Sequence, residues 1–410
     1  MGEILIIGGG IGGLTLALSL HQAGFACRVF EAAPEIRPLG VGINLLPHGM
    51  RELTELGLAA RLARVAVETR ELCFYNRFGQ FIYGEPRGRF AGYEWPQLSI
   101  HRADLHQVLL EVTRERLGDG NLVLNMKCVS FREQGEKVKV KFENGIETEG
   151  ACLVGADGIH SAVRKLLFPQ EGPPSYKGIN MWRGVTRLKK PFLTGASMAV
   201  AGWLDVGKLV IYPIRPATPE GQLVNWVAEI QSPRNVIQDW ALPGRLADFH
   251  PTFAGWRFDW LDCAALLGDS DSILEYPMVD RDPLPWWTRG RVTLLGDAAH
   301  PMYPRGSNGA GQAILDARVL AGCLKREGNI EKALKEYERE RREAANQVVL
   351  MNRSNPPDAI LREVWKRSGD RPFARIEDVI SAAELAEMSE RYKRVAGFER
   401  ESLARRASFL

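Results

Sequence analysis

A glycine-rich turn near the N-terminus constrains the fold more than any other part of the sequence. The turn, GGGIGG at 8–13, follows the apolar run EILII at 3–7 and precedes the apolar stretch LTLALSLHQA at 14–23. A second strand-like run, ACRVFE, comes directly afterwards at 26–31. Strand, turn, helix and strand within about 30 residues form a βαβ unit, whose strands pair in parallel in a sheet buried on both faces. The sequence therefore predicts an α/β fold.

The spacing of the glycines in this turn is typical of a loop that binds a dinucleotide. Gly8 permits the tight turn, Gly10 lets a pyrophosphate approach the backbone, and Gly13 lets the helix pack against the strand. Glu31 stands at the end of the second strand, 18 residues after Gly13, where its carboxylate would accept hydrogen bonds from ribose hydroxyls. An acid at this position also argues against a ribose 2′-phosphate. A glycine-rich turn without a ligand is the alternative interpretation.

Two later motifs place a carboxylate directly after a strand-like run. GADGIHSAVR at 155–164 contains Asp157, and GDAAHPMYP at 296–304 contains Asp297 and leads into GSNGAGQAILD at 306–316. Ligands of open α/β sheets bind at the carboxyl ends of the strands, where such carboxylates would lie. For either motif alone, an Asp that only caps a strand-to-helix turn is an equally good interpretation.

Composition excludes several classes of protein. The chain has 410 residues, enough for two or three domains, and a net charge of +3 gives no clustered basic excess for nucleic acid. Its six cysteines contain no C-x-x-C pair, which argues against a zinc site or disulfide framework and favours a reduced, cytoplasmic context. No run approaches about 20 apolar residues, so no transmembrane helix is expected.

Together, the three motifs resemble those of the group A flavoprotein aromatic hydroxylases, the type that includes para-hydroxybenzoate hydroxylase and salicylate hydroxylase. The resemblance spans residues 3 to about 350. It implies FAD as the bound cofactor and NADH or NADPH as the co-substrate. By the family pattern, the residues expected to bind FAD are Gly10, Ile11, Gly12, Gly13, Glu31, Arg102, Asp157 and Asp297.

Arg102 and the late glycine motif need separate comment. Arg102 lies in IHRADL at 100–105, where the resemblance places it on the FAD sugar-phosphate, although a solvated arginine near a helix start is the alternative. Many family members have G-Q-G-x-N in the late motif, whereas this chain has PRGSNGA at 304–310. That form resembles the branch containing phenazine-carboxylate monooxygenases and 3-hydroxybenzoate 6-hydroxylases. The expected contacts with the flavin pyrimidine ring are Gly42, Gly309 and Ala310.

The same branch shares further segments, which are RPLGVGINLLP at 37–47, MWRGV at 181–185 and YPMVDRDPLP at 276–285. The seven histidines show neither H-E-x-x-H nor facial-triad spacing, so no metal site is expected and flavin would carry the oxygen chemistry. Only one complete G-x-G-x-x-G exists, so NAD(P)H has no Rossmann unit of its own. A reductase of the disulfide type would also need a C-x-x-x-x-C pair, which is absent from the sequence.

The predicted fold class is α/β, with a Rossmann-like FAD-binding domain, an inserted and mainly antiparallel β-sheet substrate domain, and a C-terminal helical segment. Strand-like runs broken by Pro and Gly fill the middle of the chain, and a charged segment with helical periodicity follows Pro356 and Pro357. The predicted boundaries are 1–73, 97–175 and 285–353 for the FAD domain, 74–96 and 176–284 for the sheet domain, and 354–410 for the helical segment.

Two residues are candidates for contact with the substrate. Tyr212, in the strand-like run 208–214, matches a tyrosine of the pocket in the hydroxybenzoate 6-hydroxylase branch and could help to deprotonate a ring hydroxyl. A core aromatic residue is the alternative. Arg183, in MWRGV, could bind a carboxylate, or could form a structural salt bridge.

The favoured function is an FAD-dependent, NAD(P)H-consuming monooxygenase that hydroxylates an electron-rich aromatic or N-heteroaromatic compound, through the flavin C4a-hydroperoxide that the resemblance implies. Its partners would be the aromatic substrate and molecular oxygen, and the chain would act as a monomer or homodimer. The C-terminal segment could pack on the body of the protein or on a second subunit. An FAD-dependent dehydrogenase or saturase without oxygen insertion, and a flavin-binding sensor, remain alternatives.

Overall fold

The structure, a computed structural model, describes residues 2–36, 40–233, 239 and 241–410. Within this part of the chain the strands, in chain order, are β1 (Ile4–Ile7), β2 (Cys27–Phe30), β3 (Gly42–Leu45), β4 (Val67–Glu68), β5 (Glu71–Tyr75), β6 (Phe81–Pro86), β7 (Leu98–His101), β8 (Leu122–Val123), β9 (Cys128–Gln134), β10 (Lys137–Phe142), β11 (Glu147–Gly150), β12 (Cys152–Gly155), β13 (Ser175–Leu188), β14 (Ser197–Trp203), β15 (Gly207–Pro213), β16 (Gln222–Gln231), β17 (Arg257–Phe258), β18 (Leu261–Asp262), β19 (Ile273–Asp280), β20 (Thr288–Arg289) and β21 (Val292–Leu294). The α-helices are α1 (Ile11–Gln22), α2 (Pro47–Glu55), α3 (Ala59–Val65), α4 (Arg102–Leu117), α5 (Ala162–Leu167), α6 (His250–Phe253), α7 (Cys263–Gly268), α8 (Gly309–Glu327), α9 (Ile330–Ser354), α10 (Ala359–Ser368), α11 (Ala382–Ala396) and α12 (Arg400–Arg405).

A six-stranded sheet forms the centre of the nucleotide-binding part, in the order β20, β21, β12, β1, β2, β8. Every neighbouring pair in it is parallel except β20 with β21. All four residues of β1 are buried, as the apolar run predicts for a central strand covered on both faces. Because β21, β12, β1 and β2 run in parallel, their carboxyl ends lie at one edge of the sheet.

The glycine turn between β1 and α1 has the close packing that its sequence predicts. A Cβ placed on Gly13 would lie 2.0 Å from the carbonyl oxygen of Gly8. Any side chain there would push the first turn of α1 away from the strand, because protein interiors leave no such space. The helix ends at Gln22 with Ala23 as its C-cap, and Gly24 with φ +85° turns the chain towards β2.

A seven-stranded sheet forms the second large layer, in the order β19, β13, β16, β15, β14, β5, β6. Its pairs are antiparallel apart from β14 with β5. Side chains alternate between its faces, as a strand requires. Leu209 and Ile211 of β15 pack in a core with Phe249 and Phe253, while Tyr212 points to the opposite face.

The fold class is confirmed by this combination of a parallel α/β sheet, a mainly antiparallel sheet and C-terminal helices. Residues 71–86 and 175–280 contribute the strands of the seven-stranded sheet, although the chain between them contributes β8 and β12 to the six-stranded sheet. The predicted boundary between 73 and 74 lies inside β5, where no turn residue marks a break. The domain boundaries themselves stay predictions.

The C-terminal segment packs on the body of the same chain. Ile360 and Leu361 of α10 and Leu385 of α11 join a buried cluster with Phe74 and Val200 of the seven-stranded sheet. They cover the face opposite the one packed by Phe249. Among the described residues, no helix is both long and apolar enough to cross a membrane. All six cysteines are buried and free of disulfide bonds.

Arg318 of α8 ties together three helices that begin beside the predicted cofactor loops. Its fully buried guanidinium donates to Gln22 Oε1 of α1 at 2.6 Å and pairs with Glu52 and Glu55 of α2 at 3.3 and 2.9 Å. Burial raises the pKa of Glu52. The positive charges of Arg406 and, to a smaller extent, Arg318 oppose this rise. The guanidinium therefore compensates carboxylates that would otherwise be costly to bury.

We expect Arg318→Met to lower the free energy of unfolding by about 3 kcal/mol, because removing one partner of a buried ion pair leaves the other uncompensated. Urea unfolding followed by far-UV circular dichroism measures the change. Arg339→Met is the matched control, because Arg339 is exposed and pairs with Glu336 on the surface. Equal unfolding midpoints for the two variants would contradict this role of Arg318.

Candidate active site

The predicted cofactor loops meet at the carboxyl edge of the parallel sheet. A Cβ on Gly8 would lie 2.4 Å from the carbonyl oxygen of Ala156, so the loops after β1 and β12 are in direct contact. A Cβ on Gly10, by contrast, would have no atom within 4 Å, and the backbone there faces open space. This combination of a packed turn with one open glycine fits a diphosphate that approaches the main chain.

Glu31 is held at the end of β2 by two backbone amides. Gly9 N donates to Oε2 at 2.7 Å and Ala33 N donates to Oε1 at 2.9 Å. Each carboxylate oxygen can accept a further hydrogen bond, so both remain able to bind ribose hydroxyls. The acid therefore also fixes the glycine turn, which the sequence did not predict.

His106 holds the other side of the glycine turn. Its Nε2 lies 2.7 Å from the carbonyl oxygen of Gly9, and burial lowers the pKa of the ring. A carbonyl can only accept, so Nε2 carries the proton and donates. Our sequence analysis missed this residue, because a histidine one turn into α4 carries no local signal of a contact with a distant loop.

Asp157 caps α5. Its carboxylate accepts hydrogen bonds from Ser161 Oγ at 2.5 Å, Ala162 N at 2.7 Å and Val163 N at 3.3 Å. Burial raises the pKa of Asp157, and these hydrogen bonds oppose the rise. Helix capping, one of the two interpretations of this motif, is thus its observed local role.

Arg164, the last residue of the same motif, joins it to the late motif. The buried guanidinium pairs with Glu171 through Nε and Nη2 at 2.7 and 2.6 Å. Its Nη1 also donates to the carbonyl oxygens of Ala298 and Ala299 at 3.1 and 2.9 Å. The loops after β12 and β21 are therefore fixed relative to one another by one side chain.

Arg102 and Asp297 are close enough for their charges to interact across the space beside the cofactor loops, which we call the cleft. Both side chains are accessible to solvent, although neighbouring protein atoms partly desolvate them. This partial burial lowers the pKa of Arg102 and raises the pKa of Asp297, and each charge opposes the shift of the other. A cation and an anion that line one cleft are suited to a ligand with both phosphate and hydroxyl groups.

A buried network fixes the loop that carries Asp297. Asp316 of α8 accepts from Gly296 N at 3.0 Å and from Arg341 Nε at 2.7 Å, and lies 2.5 Å from His300 Nε2. Burial raises the pKa of Asp316, but His300 and Arg341 outweigh it and hold the pKa at about 2. His300 is therefore a structural partner of this carboxylate.

Gly309 and Ala310 form the first turn of α8, after a loop at 304–308. Gly309 lies beside Asp297, since a Cβ placed on it would be 3.9 Å from Asp297 Oδ1. Tyr392 of α11 packs so tightly on the loop that a Cβ on Gly306 would lie 2.1 Å from its hydroxyl. The same hydroxyl accepts from Asn308 Nδ2 at 2.9 Å.

The C-terminal segment thus positions the start of α8, a contact that our sequence analysis missed. Tyr392 also donates to Asn352 Oδ1 at 2.7 Å, and Gln312 Nε2 donates to the carbonyl oxygen of Ala396 at 3.1 Å. The helical periodicity of the tail predicts an apolar face but not the surface that this face covers.

A pocket of about 170 Å³ opens between this loop, the seven-stranded sheet and the C-terminal segment. Its floor is apolar and consists of Leu72, Phe74, Met181, Val200, Val210 and Val227. The loop residues 304–307 and Gly42 also line it. The pocket is therefore continuous with the expected flavin position.

Tyr212 and Arg183 both line the pocket and lie close enough to influence one another. Burial raises the pKa of Tyr212, opposed by Arg183, and burial lowers the pKa of Arg183 to about 10. The guanidinium lies over the ring of Tyr276, 5.6 Å from its centroid. At neutral pH the tyrosine is a phenol and the arginine a cation.

Gly42 packs against the same strands. A Cβ on it would lie 2.6 Å from Tyr212 Cε2 and 2.7 Å from Asn225 Cβ, and its amide donates to Asn225 Oδ1 at 2.7 Å. No larger residue fits where this segment meets the sheet. The amide is already in use, so a flavin contact through it would have to replace the bond to Asn225.

Comparison with known proteins agrees with this geometry. The model of the FAD binding domain family matches residues 1–194 and 265–352. Phenazine 1,6-dicarboxylic acid hydroxylase PhzS of Lysobacter antibioticus is 42% identical over 96% of this chain and 97% of that protein. 3-Hydroxybenzoate 6-hydroxylase 1 of Aquipseudomonas alcaligenes is 32% identical over 83% of this chain and 84% of its own.

Among solved structures, HpxO of Klebsiella pneumoniae with FAD and uric acid superimposes with a TM-score of 0.78 at 23% identity, covering 98% of this chain and 96% of that one. At that identity the likeness concerns the fold alone. The family match and the relatives decide the class of protein. The chain therefore belongs to the FAD binding domain family, and it is an FAD-dependent aromatic monooxygenase with NADH or NADPH as co-substrate.

Proposed function

We propose that this enzyme hydroxylates an aromatic or N-heteroaromatic carboxylic acid of the phenazine-carboxylate or hydroxybenzoate kind, using molecular oxygen. The observation that carries the proposal is the apolar pocket, which joins the expected flavin position to Tyr212 and Arg183. The activities of PhzS and of the hydroxybenzoate hydroxylase, both of which act on aromatic acids, support it.

The diphosphate of FAD would bind the glycine turn, formed by Gly10, Ile11, Gly12 and Gly13. The open face of Gly10 supports this assignment, because a phosphate needs direct access to the backbone amides. Glu31 would hold the adenosine ribose through the free lone pairs of its carboxylate. Arg102 would contact the sugar-phosphate from the start of α4, and Asp157 would contact FAD while capping α5.

The flavin end would lie between Asp297 and the start of α8. Asp297 would bind a ribityl hydroxyl, a role that its position in the cleft beside Gly309 supports. Gly309 and Ala310 present the amides of the first helical turn, which suit the electron-rich edge of a flavin pyrimidine ring. Gly42 would contact the same ring from the opposite wall.

FAD, once reduced by NAD(P)H, supplies the activation of oxygen in this chemistry, and the side chains of the pocket prepare the substrate. Tyr212, as a neutral phenol, would accept a hydrogen bond from a hydroxyl of the substrate ring, which polarises that O–H bond and raises the electron density of the ring. Arg183, a buried cation beside that phenol, would stabilise the negative charge that develops on the ring oxygen. The apolar floor excludes water from the reacting atoms.

The walls of the pocket come from one chain. The C-terminal segment covers the sheet of its own chain and contributes residues such as Lys393 to the pocket of that chain. The monomer or homodimer expected from the sequence stays a prediction.

The proposed function is tested by screening hydroxybenzoates, N-heterocyclic acids and phenazine carboxylates for stimulated NAD(P)H oxidation under ¹⁸O₂. We expect at least one acid to stimulate oxidation and to yield a product that contains one ¹⁸O atom. Stimulated oxidation with an unlabelled, dehydrogenated product would instead establish a dehydrogenase.

We expect Asp297→Ala to weaken FAD binding by roughly 10- to 100-fold, because a hydrogen bond to a charged group contributes about 1.5–3 kcal/mol. The far-UV circular dichroism of the apoprotein should stay unchanged. Equilibrium dialysis against FAD measures the affinity. The exposed Asp259, far from the cleft, provides the control Asp259→Ala, and equal FAD affinity in both variants would remove Asp297 from the site.

We expect Tyr212→Phe to keep FAD and be reduced normally, but to hydroxylate about 10²- to 10⁴-fold more slowly, which is the usual contribution of acid–base help. Product formed per NAD(P)H should fall and hydrogen peroxide should rise. Tyr75→Phe is the control, since Tyr75 lies on the opposite face of the same sheet. Full coupling in Tyr212→Phe would assign Tyr212 to packing and make Arg183 the next residue to test.

A further inference from the structure

Arg305 is a buried cation in the pocket for which the proposed chemistry has no use. It lies in the loop before α8 and lines the pocket, yet only 8% of its surface is exposed. Within the part of the chain that the structure describes, its Nε and Nη2 are buried without a hydrogen-bond partner. An unsatisfied buried guanidinium is costly, so this site is built for a group that supplies acceptors.

A local break in a strand places the guanidinium at one end of the sheet. Gly202 has φ +71°, and a Cβ on it would lie 2.3 Å from the ring of Trp256. Ala201 faces that same core, so the alternation of β14 is broken and Trp203 falls on the pocket face. The guanidinium of Arg305 lies over the Trp203 ring, 5.7 Å from its centroid, and is held there by a cation–π contact.

This end of the pocket is remote from the predicted reacting ring. Trp203 pairs with Gly207, and Lys208 is the next residue of β15. Tyr212 lies on the same strand face four residues further on, at about 3.3 Å per residue, or roughly 13 Å from Lys208. A substrate that touches both Tyr212 and Arg305 is therefore longer than a single ring.

The neighbouring cations already have carboxylate partners. Lys208 pairs with Glu229 at 2.8 Å and with Asp358 of the C-terminal segment. Arg87 and Lys393 share Glu85, at 2.7 and 2.8 Å.

The charges around the pocket remain positive after these pairs are counted. Five cationic side chains line it, against two carboxylates and the adjacent Glu85. Asp358 is a competing acceptor for Arg305, since burial raises its pKa but the charges of Lys208 and Arg305 outweigh burial and lower it. Lys208 is its bonded partner. A ligand that brings negative charge to Arg305 is therefore complementary to this end of the pocket.

We propose that Arg305 binds a carboxylate of the substrate at the end remote from Tyr212, so that the enzyme selects extended aromatic acids. The inference rests on the proposed function, because it assigns the reacting ring to the Tyr212 end. A planar guanidinium offers two parallel N–H groups to a carboxylate, and the free Nε and Nη2 are such a pair. Arg183 stays with the reacting ring, and Arg305 is the carboxylate-binding residue.

The test compares an acid with its uncharged amide on the FAD-loaded enzyme. Phenazine-1-carboxylate and phenazine-1-carboxamide are titrated, and the change in flavin absorbance gives each Kd. The pair 3-hydroxybenzoate and 3-hydroxybenzamide provides the single-ring comparison. We expect the wild type to prefer the phenazine acid over its amide, and Arg305→Gln to weaken the acid by about 10- to 100-fold while changing the amide less than threefold. For Arg305→Lys, the Kd of the phenazine acid should lie between the values of the wild type and of Arg305→Gln.

Arg257→Gln is the control, since Arg257 is exposed, pairs with Asp262 and lies outside the pocket. It should leave both Kd values unchanged. Equal weakening of acid and amide by Arg305→Gln would overturn the inference, because it would show that Arg305 only balances Asp358 and holds the wall. Unchanged binding of the acid would overturn it as well.

Two measurements keep the result decisive if Arg305→Gln does not retain FAD. A wild type that does not bind the phenazine acid more tightly than its amide overturns the inference without any variant. Arg305→Lys, which keeps the charge but lacks the parallel N–H pair, must then show a smaller preference for the acid than the wild type, and an unchanged preference would overturn the inference. Failure of the proposed function is separate, because it would appear as absence of ¹⁸O in any product of the wild type, whatever the preference for acids.

Discussion

Parallel pairing of β21, β12, β1 and β2 is the constraint on which the rest of the site depends. Parallel strands end on the same side, so the loops that follow them must converge, even though their motifs are more than a hundred residues apart in sequence. Convergence alone does not fix side chains. Three charged side chains, Glu31, Arg164 and Asp316, hold these loops in place by hydrogen bonds to their backbone groups. Each of them has several hydrogen-bond partners.

In the seven-stranded sheet, successive side chains of each strand point to opposite faces, and one of these faces forms the binding surface. One face of the seven-stranded sheet is closed by a core of aromatic and aliphatic side chains, and this rigid backing leaves the other face free to carry function. Along β15 that face carries Lys208, Val210 and Tyr212 in turn, which is a charged, an apolar and a phenolic position. The chemistry of the pocket is thus graded along the strand direction.

Much of this arrangement could be predicted from sequence, because the signals are local. Glycine spacing and apolar runs predicted β1, α1 and β2 with small differences in their bounds, and the motif resemblance identified the class of enzyme. The roles of FAD and substrate residues such as Arg102 and Tyr212 stay predictions.

Contacts between distant elements could not be predicted in this way. Nothing near His106 indicates that it bonds the glycine turn, and the tail sequence does not indicate that Tyr392 packs on Gly306. The orientation of Arg305 depends on the break at Gly202, a hundred residues earlier, and on the ring that this break exposes. Single-sequence patterns describe what an element can do alone, whereas these contacts depend on what packs beside it.

The packing of Tyr392 on the loop before α8 has a consequence for how such enzymes can be recombined. The same helix, α11, contributes Ser389 and Lys393 to the pocket and Tyr392 to the loop that leads to Gly309. A chimaeric enzyme that takes α11 from a relative therefore also changes the residue that packs on the flavin loop. Residues 304–309 and α11 should be exchanged together, so that the contact between them is kept.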